Sequence, residues 1–133
     1  MNIFAQKDKI SSIQFFEELP NSCPPPRATP ADNMEVYRVV HHTPAKSSDF
    51  FSQRKNKPFK PFNVDECVAM SVSVFDNLDD AVNLKKIPAF KNGKIAKVIL
   101  ERSDGVVLKT GANKGHYSWW RSQLFDPQKA VLL

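Results

Sequence analysis

Residues 35–42 read EVYRVVHH, and this stretch gives the clearest strand prediction in the chain. It is rich in β-branched and aromatic residues, as strands are. Side chains alternate between the two faces of a strand, so we predict one face carrying Val36, Arg38, Val40 and His42 and another carrying Tyr37, Val39 and His41. The rest of the fold is predicted outward from this strand.

Further strands are predicted downstream. Glu66–Phe75 (ECVAMSVSVF) alternates like a strand, and His116–Trp120 (HYSWW) is a predicted last strand. Ile95–Ser103 and Val106–Thr110 are predicted to form a hairpin, because Asp104-Gly105 between them is a two-residue turn signal. Residues 121–133 show no regular pattern.

Two helices are predicted, each ending before a proline. Ser11–Leu19 (SSIQFFEEL) has a serine cap and apolar residues three apart. The other begins at a cap on Asp76 and ends near Ile87. Asn21–Asp32 holds four prolines and is predicted to be an irregular, stiff connector.

The order of these elements predicts an α+β fold with a curved, mostly antiparallel sheet and a few short helices. At 133 residues the chain fits a single core. We therefore expect an N-terminal helical arm and proline-rich connector at residues 1–34, followed by a single α+β domain at residues 35–133.

The net charge of +5 is concentrated in two segments. Residues 44–62 carry five basic side chains against Asp49 alone, and residues 109–133 carry four against Asp126. Such segments would attract an acidic protein surface or a nucleic acid, and they are equally compatible with a solvated loop and tail.

The two cysteines, Cys23 and Cys67, are too few for a disulfide framework, so we expect free thiols in a reducing cytoplasm. No stretch is long and apolar enough to span a membrane, and no leader is expected. No zinc spacing occurs, so no metal is expected.

Arg38 is the first candidate for binding chemistry. An arginine on a face shared with valines needs a carboxylate, a carbonyl or a ligand anion to offset its burial. It would either grip a phosphate or pair with Glu35, Asp49 or Glu66. Ser71 and Ser73 share one face of the second predicted strand and would either hold a ligand or simply pack as small residues.

In this order, Arg38 and Ser71-Val72-Ser73 resemble the motifs of mono-ADP-ribosyltransferases of the R-S-E type. The resemblance covers roughly residues 35–102. It implies that Arg38, Ser71 and Ser73 bind nicotinamide adenine dinucleotide (NAD) in a cleft. The family's third motif is an acidic pair, which is missing here. Glu101 alone, or His116, would stand in as the catalytic group, or the chain would be a non-catalytic relative.

His116 beside Tyr117 and two tryptophans suggests an alternative, a small basic ribonuclease-like or nucleic-acid-binding toxin module. It would use His116, Tyr117 and Arg121 together with Arg54, Lys55, Lys57 and Lys60. Alternatively, Trp119 or Trp120 would fill the core and His116 would cap a strand edge. A third possibility is a protein-binding immunity, antitoxin or phage-type inhibitor protein.

Overall fold

Residues 13–133 are described by the computed structural model, and their strands form one antiparallel sheet of seven. Its order is β1-β5-β6-β3-β2-β4-β7. The strands are β1 Thr29–Pro30, β2 Met34–Val40, β3 Val72–Phe75, β4 Lys94–Leu100, β5 Gly105–Lys109, β6 His116–Arg121 and β7 Val131–Leu132. The helices are α1 Gln53–Asn56, α2 Glu66–Ala69 and α3 Leu78–Leu84, with 3₁₀ turns at Ser47–Phe50, Pro88–Phe90, Arg102–Asp104 and Pro127–Lys129. The α+β prediction is confirmed.

The main core covers one face of the sheet. Trp119 and Phe50 have no exposed surface, and Phe125 packs edge-to-face against both. Strand β2 supplies Val36 and Val40 to this core, as its alternation predicts. The segment from Ala45 to Phe50 therefore lies against the sheet and is not a free loop. Strand β2 ends at Val40, however, so the assignment of His41 and His42 to its two faces is wrong, and both histidines lie in the exposed bend that follows.

A smaller core lies on the opposite face, around Trp120 and Val106 of β6 and β5. The described part of the N-terminal arm covers it, through Ile13, Phe15, Leu19 and Cys23. The prediction that Trp119 or Trp120 fills the core is confirmed, and the structure buries both, because adjacent strand residues face the two different cores.

The expectation of free thiols is wrong, because Cys23 and Cys67 form a disulfide. The bond joins the proline-rich connector to helix α2, across a sequence separation of 44. The two cysteines approach each other only through the packing of the smaller core, which sequence spacing does not reveal.

The predicted helix at Ser11–Leu19 is wrong over its described part. Phe15 forms a β-bridge with Ser122, and the Phe16 amide donates to the Arg121 carbonyl at 2.8 Å. Tertiary pairing with the end of β6 has overridden the local helical pattern. Ser11 and Ser12 lie outside the described residues. The connector is also not wholly irregular, since β1 forms the sheet edge beside β5.

The predicted strand over Glu66–Phe75 is correct only for its second half. Asp65 caps α2 by accepting from the Cys67 amide at 3.3 Å, and the strand starts at Val72. The following helix is capped by Asn77 rather than Asp76 and ends at Leu84 rather than Ile87. An apolar run as short as Cys67–Ala69 fits both periodicities, which explains the error.

The predicted hairpin of β4 and β5 is wrong, because three strands separate them in the sheet. Asp104 is buried and accepts from the Glu101 amide at 2.8 Å, which closes the 3₁₀ turn. Gly105 has φ +130°, and a Cβ there would lie 2.2 Å from the Trp120 carbonyl oxygen. The Asp-Gly pair thus starts a crossing between the two halves of the sheet.

The predicted strand at His116–Trp120 is confirmed as β6, one residue longer. Beyond it the chain is more regular than predicted, because β7 pairs with Ala96 and Lys97 at the other edge. No helix among residues 13–133 is long and apolar enough to cross a membrane.

Candidate functional site

Arg38 projects from β2 into the main-core face and is held by backbone carbonyls. Its Nε donates to Asp49 O and its Nη1 to Ser73 O, both at 2.7 Å, and Nη2 lies 3.4 Å from Phe51 O. Burial lowers the pKa of Arg38 to about 10, and the charge of Asp49 opposes that shift. All three guanidinium nitrogens therefore have protein acceptors, which are carbonyls and not the predicted carboxylates.

The Asp49 carboxylate, in turn, is surrounded by donors. The amides of His41 and Lys46 donate to it at 2.8 Å, and His42 Nδ1 lies 3.1 Å away. Burial pushes the pKa of Asp49 upward, but these hydrogen bonds outweigh it and hold the pKa below its usual range. Arg38 and Asp49 thus serve to fix the segment after β2 on the sheet.

The two serines are placed differently from each other. Ser71 is buried and donates its hydroxyl to the Val68 carbonyl at 2.7 Å, where it closes the end of α2. Ser73 lies on β3 and meets Arg38 through its carbonyl only. The hydroxyl of Ser73 is on the opposite face of the sheet, since residue 73 alternates with the core residues Val72 and Val74.

Glu101 is not near this arginine. It is exposed and follows Leu100, whose partner on β2 is Met34. Arg38 lies four positions further along β2 than Met34, a distance of about 14 Å. The structure therefore brings Arg38 and Ser73 together and leaves Glu101 at the far end of the strand.

His116 is half-buried at the start of β6. Its Nδ1 lies 3.1 Å from the Thr110 carbonyl and 3.2 Å from the Thr110 hydroxyl, which also contacts the Ser118 hydroxyl at 2.8 Å. An Nδ1–H bond to the carbonyl would leave Nε2 as the free nitrogen. The neighbouring residue Tyr117 packs on the main core and carries Lys109 over its ring.

Arg121 does not join His116, because the two lie about 17 Å apart along β6 and on opposite faces. Arg121 is 6% exposed, and its guanidinium carbon lies 3.9 Å from the centre of the Phe16 ring. It donates to Ser47 O at 3.0 Å and Phe50 O at 3.2 Å. Burial lowers its pKa to about 10, opposed by the charge of Glu17. Arg121 is a structural residue, and the predicted ribonuclease set is not assembled.

Residues 54–62, here called the Arg54 loop, form a compact structure around one guanidinium. Arg54 Nη1 donates to the carbonyls of Pro58 and Lys60 at 2.9 Å and lies 3.2 Å from that of Lys57. Its other two nitrogens bind the Glu66 carboxylate at 2.7 and 3.0 Å. The hydrogen bond to Glu66 raises the pKa of Arg54. The carbonyls and the carboxylate together engage the whole head group, so Arg54 organises the loop and is not free to grip a ligand.

Phe62 packs against the Arg54 guanidinium, whose carbon lies 4.8 Å from the ring centre, whereas other side chains of the loop are directed outward. Phe59 is 98% exposed, the most exposed large apolar residue among those described. Lys57 and Lys60 flank it in sequence and are also exposed, as is Lys55, whose ammonium lies 4.9 Å from the Phe51 ring centre. A bare phenyl ring between lysines can stack on a flat ring while the ammonium groups meet negative charge.

A second basic region was not singled out from the sequence. Residues 85–97 contain five lysines and no acidic residue, a pattern that a local charge count detects. Counted together with the acidic residues on either side of them, these lysines leave no net positive charge, so a charge sum over the longer segment hides them. In the structure Lys91 and Lys94 are exposed beside the end of β2, where Phe90 stacks on His41 with ring centres 6.4 Å apart.

Comparisons with protein-family models, curated proteins and solved structures give no match to this chain. Among residues 13–133, no three side chains of His, Cys, Asp or Glu are grouped so that they could hold a metal ion. The function is therefore argued from the geometry of the Arg54 loop and its surroundings.

Proposed function

We propose that this protein binds single-stranded nucleic acid through the Arg54 loop. The observation that carries the proposal is Phe59, fully exposed between Lys57 and Lys60 on a backbone that Arg54 and Glu66 hold in place. Stacking on an aromatic ring is available to every base, and the neighbouring ammonium groups would neutralise phosphates. The net charge of +5 adds a general attraction for polyanions.

The loop is suited to binding because it is already ordered. Three carbonyls of the loop accept from Arg54, so the loop backbone is ordered and little of its conformational freedom remains to be lost when a partner binds. Helix α1 extends this order, because Ser52 caps it and donates to Glu17 at 2.6 Å. The loop is thereby tied to the N-terminal segment through Glu17 and to helix α2 through Glu66.

The test compares a short single strand of RNA or DNA with an abasic strand of equal length, by fluorescence anisotropy. Phe59→Ala should reduce the preference for the normal strand by about five-fold or more, since a stacked base contributes about 1–3 kcal/mol. Leu124→Ala is the matched control, because Leu124 is a 76% exposed apolar residue elsewhere. Equal preference in Phe59→Ala and wild type would refute the proposal.

Charge reversal gives a second, independent measurement. Each lysine that meets a phosphate adds about 0.7 to the slope of log affinity against log salt for a single strand. The double variant Lys57→Glu with Lys60→Glu should therefore lower the slope by about 1.4. A loop that binds an acidic protein instead, as the inhibitor hypothesis holds, would give no dependence on bases.

The NAD-binding hypothesis stays a prediction. In its favour, Arg38 and Ser73 are neighbours, but the nitrogens of Arg38 are already bonded to carbonyls and Glu101 is distant. The cytoplasmic location also stays a prediction. The Cys23–Cys67 disulfide favours an oxidising compartment, and the redox state of these cysteines in protein isolated from cells would decide.

A further inference from the structure

The end of the sheet where β2 stops and β4 starts carries a second positively charged surface. It consists of His41, Phe90, Lys91 and Lys94, here called the sheet-end surface, with Lys86 nearby. All three lysines are exposed, and Lys94 pairs with Val40, which brings it beside the residues that follow β2. This surface belongs to neither the Arg54 loop nor the core.

The surface is rigid, since its loop is pressed on β2. A Cβ on Gly93 would lie 2.3 Å from Val39 Cγ1 and 3.0 Å from the Val40 carbonyl oxygen, so only glycine fits there. The amide of Gly93 donates to Phe90 O at 3.0 Å, and that of Phe90 donates to Ile87 O at 2.9 Å. The backbone that carries Lys91 and Lys94 is therefore held in a fixed position.

The lysines of the surface are not neutralised within the described chain. The ion pairs among residues 13–133 use His42, Arg54, Lys97, Arg102 and Lys129, and none involves Lys86, Lys91 or Lys94. The nearest buried acid, Asp49, is already satisfied by two amides and His42. Lys91 and Lys94 therefore place two positive charges, unpaired among the described residues, at this end of the sheet, where they would attract anions.

We infer that the sheet-end surface binds the phosphate groups of a flexible chain without contacting its bases. Phe90 is half-buried and stacked on His41, so no bare ring is offered for stacking as Phe59 is. The surface thus presents charge alone, which recognises a phosphodiester backbone or an inorganic polyphosphate. This inference does not depend on the proposed function, because the Arg54 loop is proposed to stack on nucleic-acid bases, whereas the sheet-end surface would bind phosphates without contacting bases.

The experiment uses ¹⁵N-labelled full-length protein and two probes without bases, an abasic oligodeoxyribonucleotide and inorganic tripolyphosphate. Amide shifts are expected at residues 86–94 with either probe. The double variant Lys91→Glu with Lys94→Glu should lose about ten-fold or more in affinity for the abasic strand, with a salt slope smaller by about 1.4. Binding of the strand but not of tripolyphosphate would identify the phosphodiester backbone as the source, and the reverse result would identify polyphosphate.

A charge-reversal control separates this surface from general charge. Lys109→Glu with Lys114→Glu reverses two exposed lysines elsewhere and should change the affinity by no more than about two-fold. Leu124→Ala alters an exposed apolar residue outside both surfaces and should leave binding of the abasic strand unchanged. The amide shifts themselves separate the sheet-end surface from the Arg54 loop. Circular dichroism verifies the fold, and Lys91→Ala with Lys94→Ala gives a milder variant if charge reversal impairs it.

Three results would overturn the inference. The first is equal loss of affinity for the abasic strand in the sheet-end and control variants. The second is amide shifts at residues 54–62, with none at residues 86–94, for either probe. The third is a response of residues 86–94 to anionic phosphatidylserine vesicles but to neither probe, which would identify a membrane surface as the partner.

Discussion

Removing the Cys23–Cys67 disulfide should destabilise the protein strongly. The bond restricts the unfolded chain by closing a loop with a sequence separation of 44. In the chain-entropy model a loop of this length contributes about 4 kcal/mol to the free energy of unfolding. The smaller core remains to hold the connector against β5 and β6, so the cross-link acts mainly on the unfolded state.

The double variant Cys23→Ser with Cys67→Ser should therefore unfold at a lower temperature. For a chain of 133 residues, a loss of about 4 kcal/mol corresponds to about 14 °C in the melting temperature. Trp120 is a built-in reporter, because its indole donates to the Cys67 carbonyl at 2.9 Å in the buried core. Its fluorescence during urea unfolding gives the free energy directly.

Wild-type protein in excess dithiothreitol is the matched comparison and should unfold like the double variant. Two results would contradict this reasoning. One is the titration of two free thiols in folded protein that has not been reduced. The other is a loss of less than about 1 kcal/mol on reduction, which would mean that the unfolded chain is already restricted in another way.

Two further predictions concern the buried charges. Arg121→Met should lower the free energy of unfolding by about 3 kcal/mol, because buried carbonyls of Ser47 and Phe50 would lose a charged donor, and equal stability in urea would contradict this. Asp49 has a pKa below its usual range when folded, so its stabilisation is present above about pH 4 and is lost as the pH falls through the folded pKa. Urea unfolding across acid pH should therefore show a smaller loss of stability in Asp49→Asn than in wild type.

The strands that could be predicted are those with a long, unbroken period. EVYRVVHH and HYSWW carry enough β-branched and aromatic residues to determine both their type and their buried faces. Glu66–Ala69 could not be assigned, because four residues satisfy a helix and a strand equally and Asp65 is the only distinguishing cap. Asp104-Gly105 led to a wrong hairpin prediction, because turn preferences depend on a few neighbouring residues, whereas the pairing of strands depends on the packing of the whole sheet.

The residues of the candidate sites could likewise be predicted only in part. The basic character of residues 54–60 is visible in the sequence, and Lys55, Lys57 and Lys60 are exposed as a charged segment should be. The role of Arg54 is not visible, because its acceptors are mostly backbone carbonyls, which every residue has. The same reason hides the partners of Arg38 and Arg121.

The arginines and the lysines of this protein have different roles, because three arginines are bonded to backbone carbonyls and the exposed lysines among residues 13–133 are not. Arg38 and Arg121 hold the Ser47–Phe51 segment from two sides through its carbonyls, and Arg54 holds the next loop in the same manner. A guanidinium with several fixed acceptors positions backbone and is a poor partner for an incoming anion, since binding would require breaking those bonds. The ammonium groups of Lys57 and Lys60 form no ion pair among the described residues, so under the proposed function they, and not Arg54, would meet the phosphates of the partner.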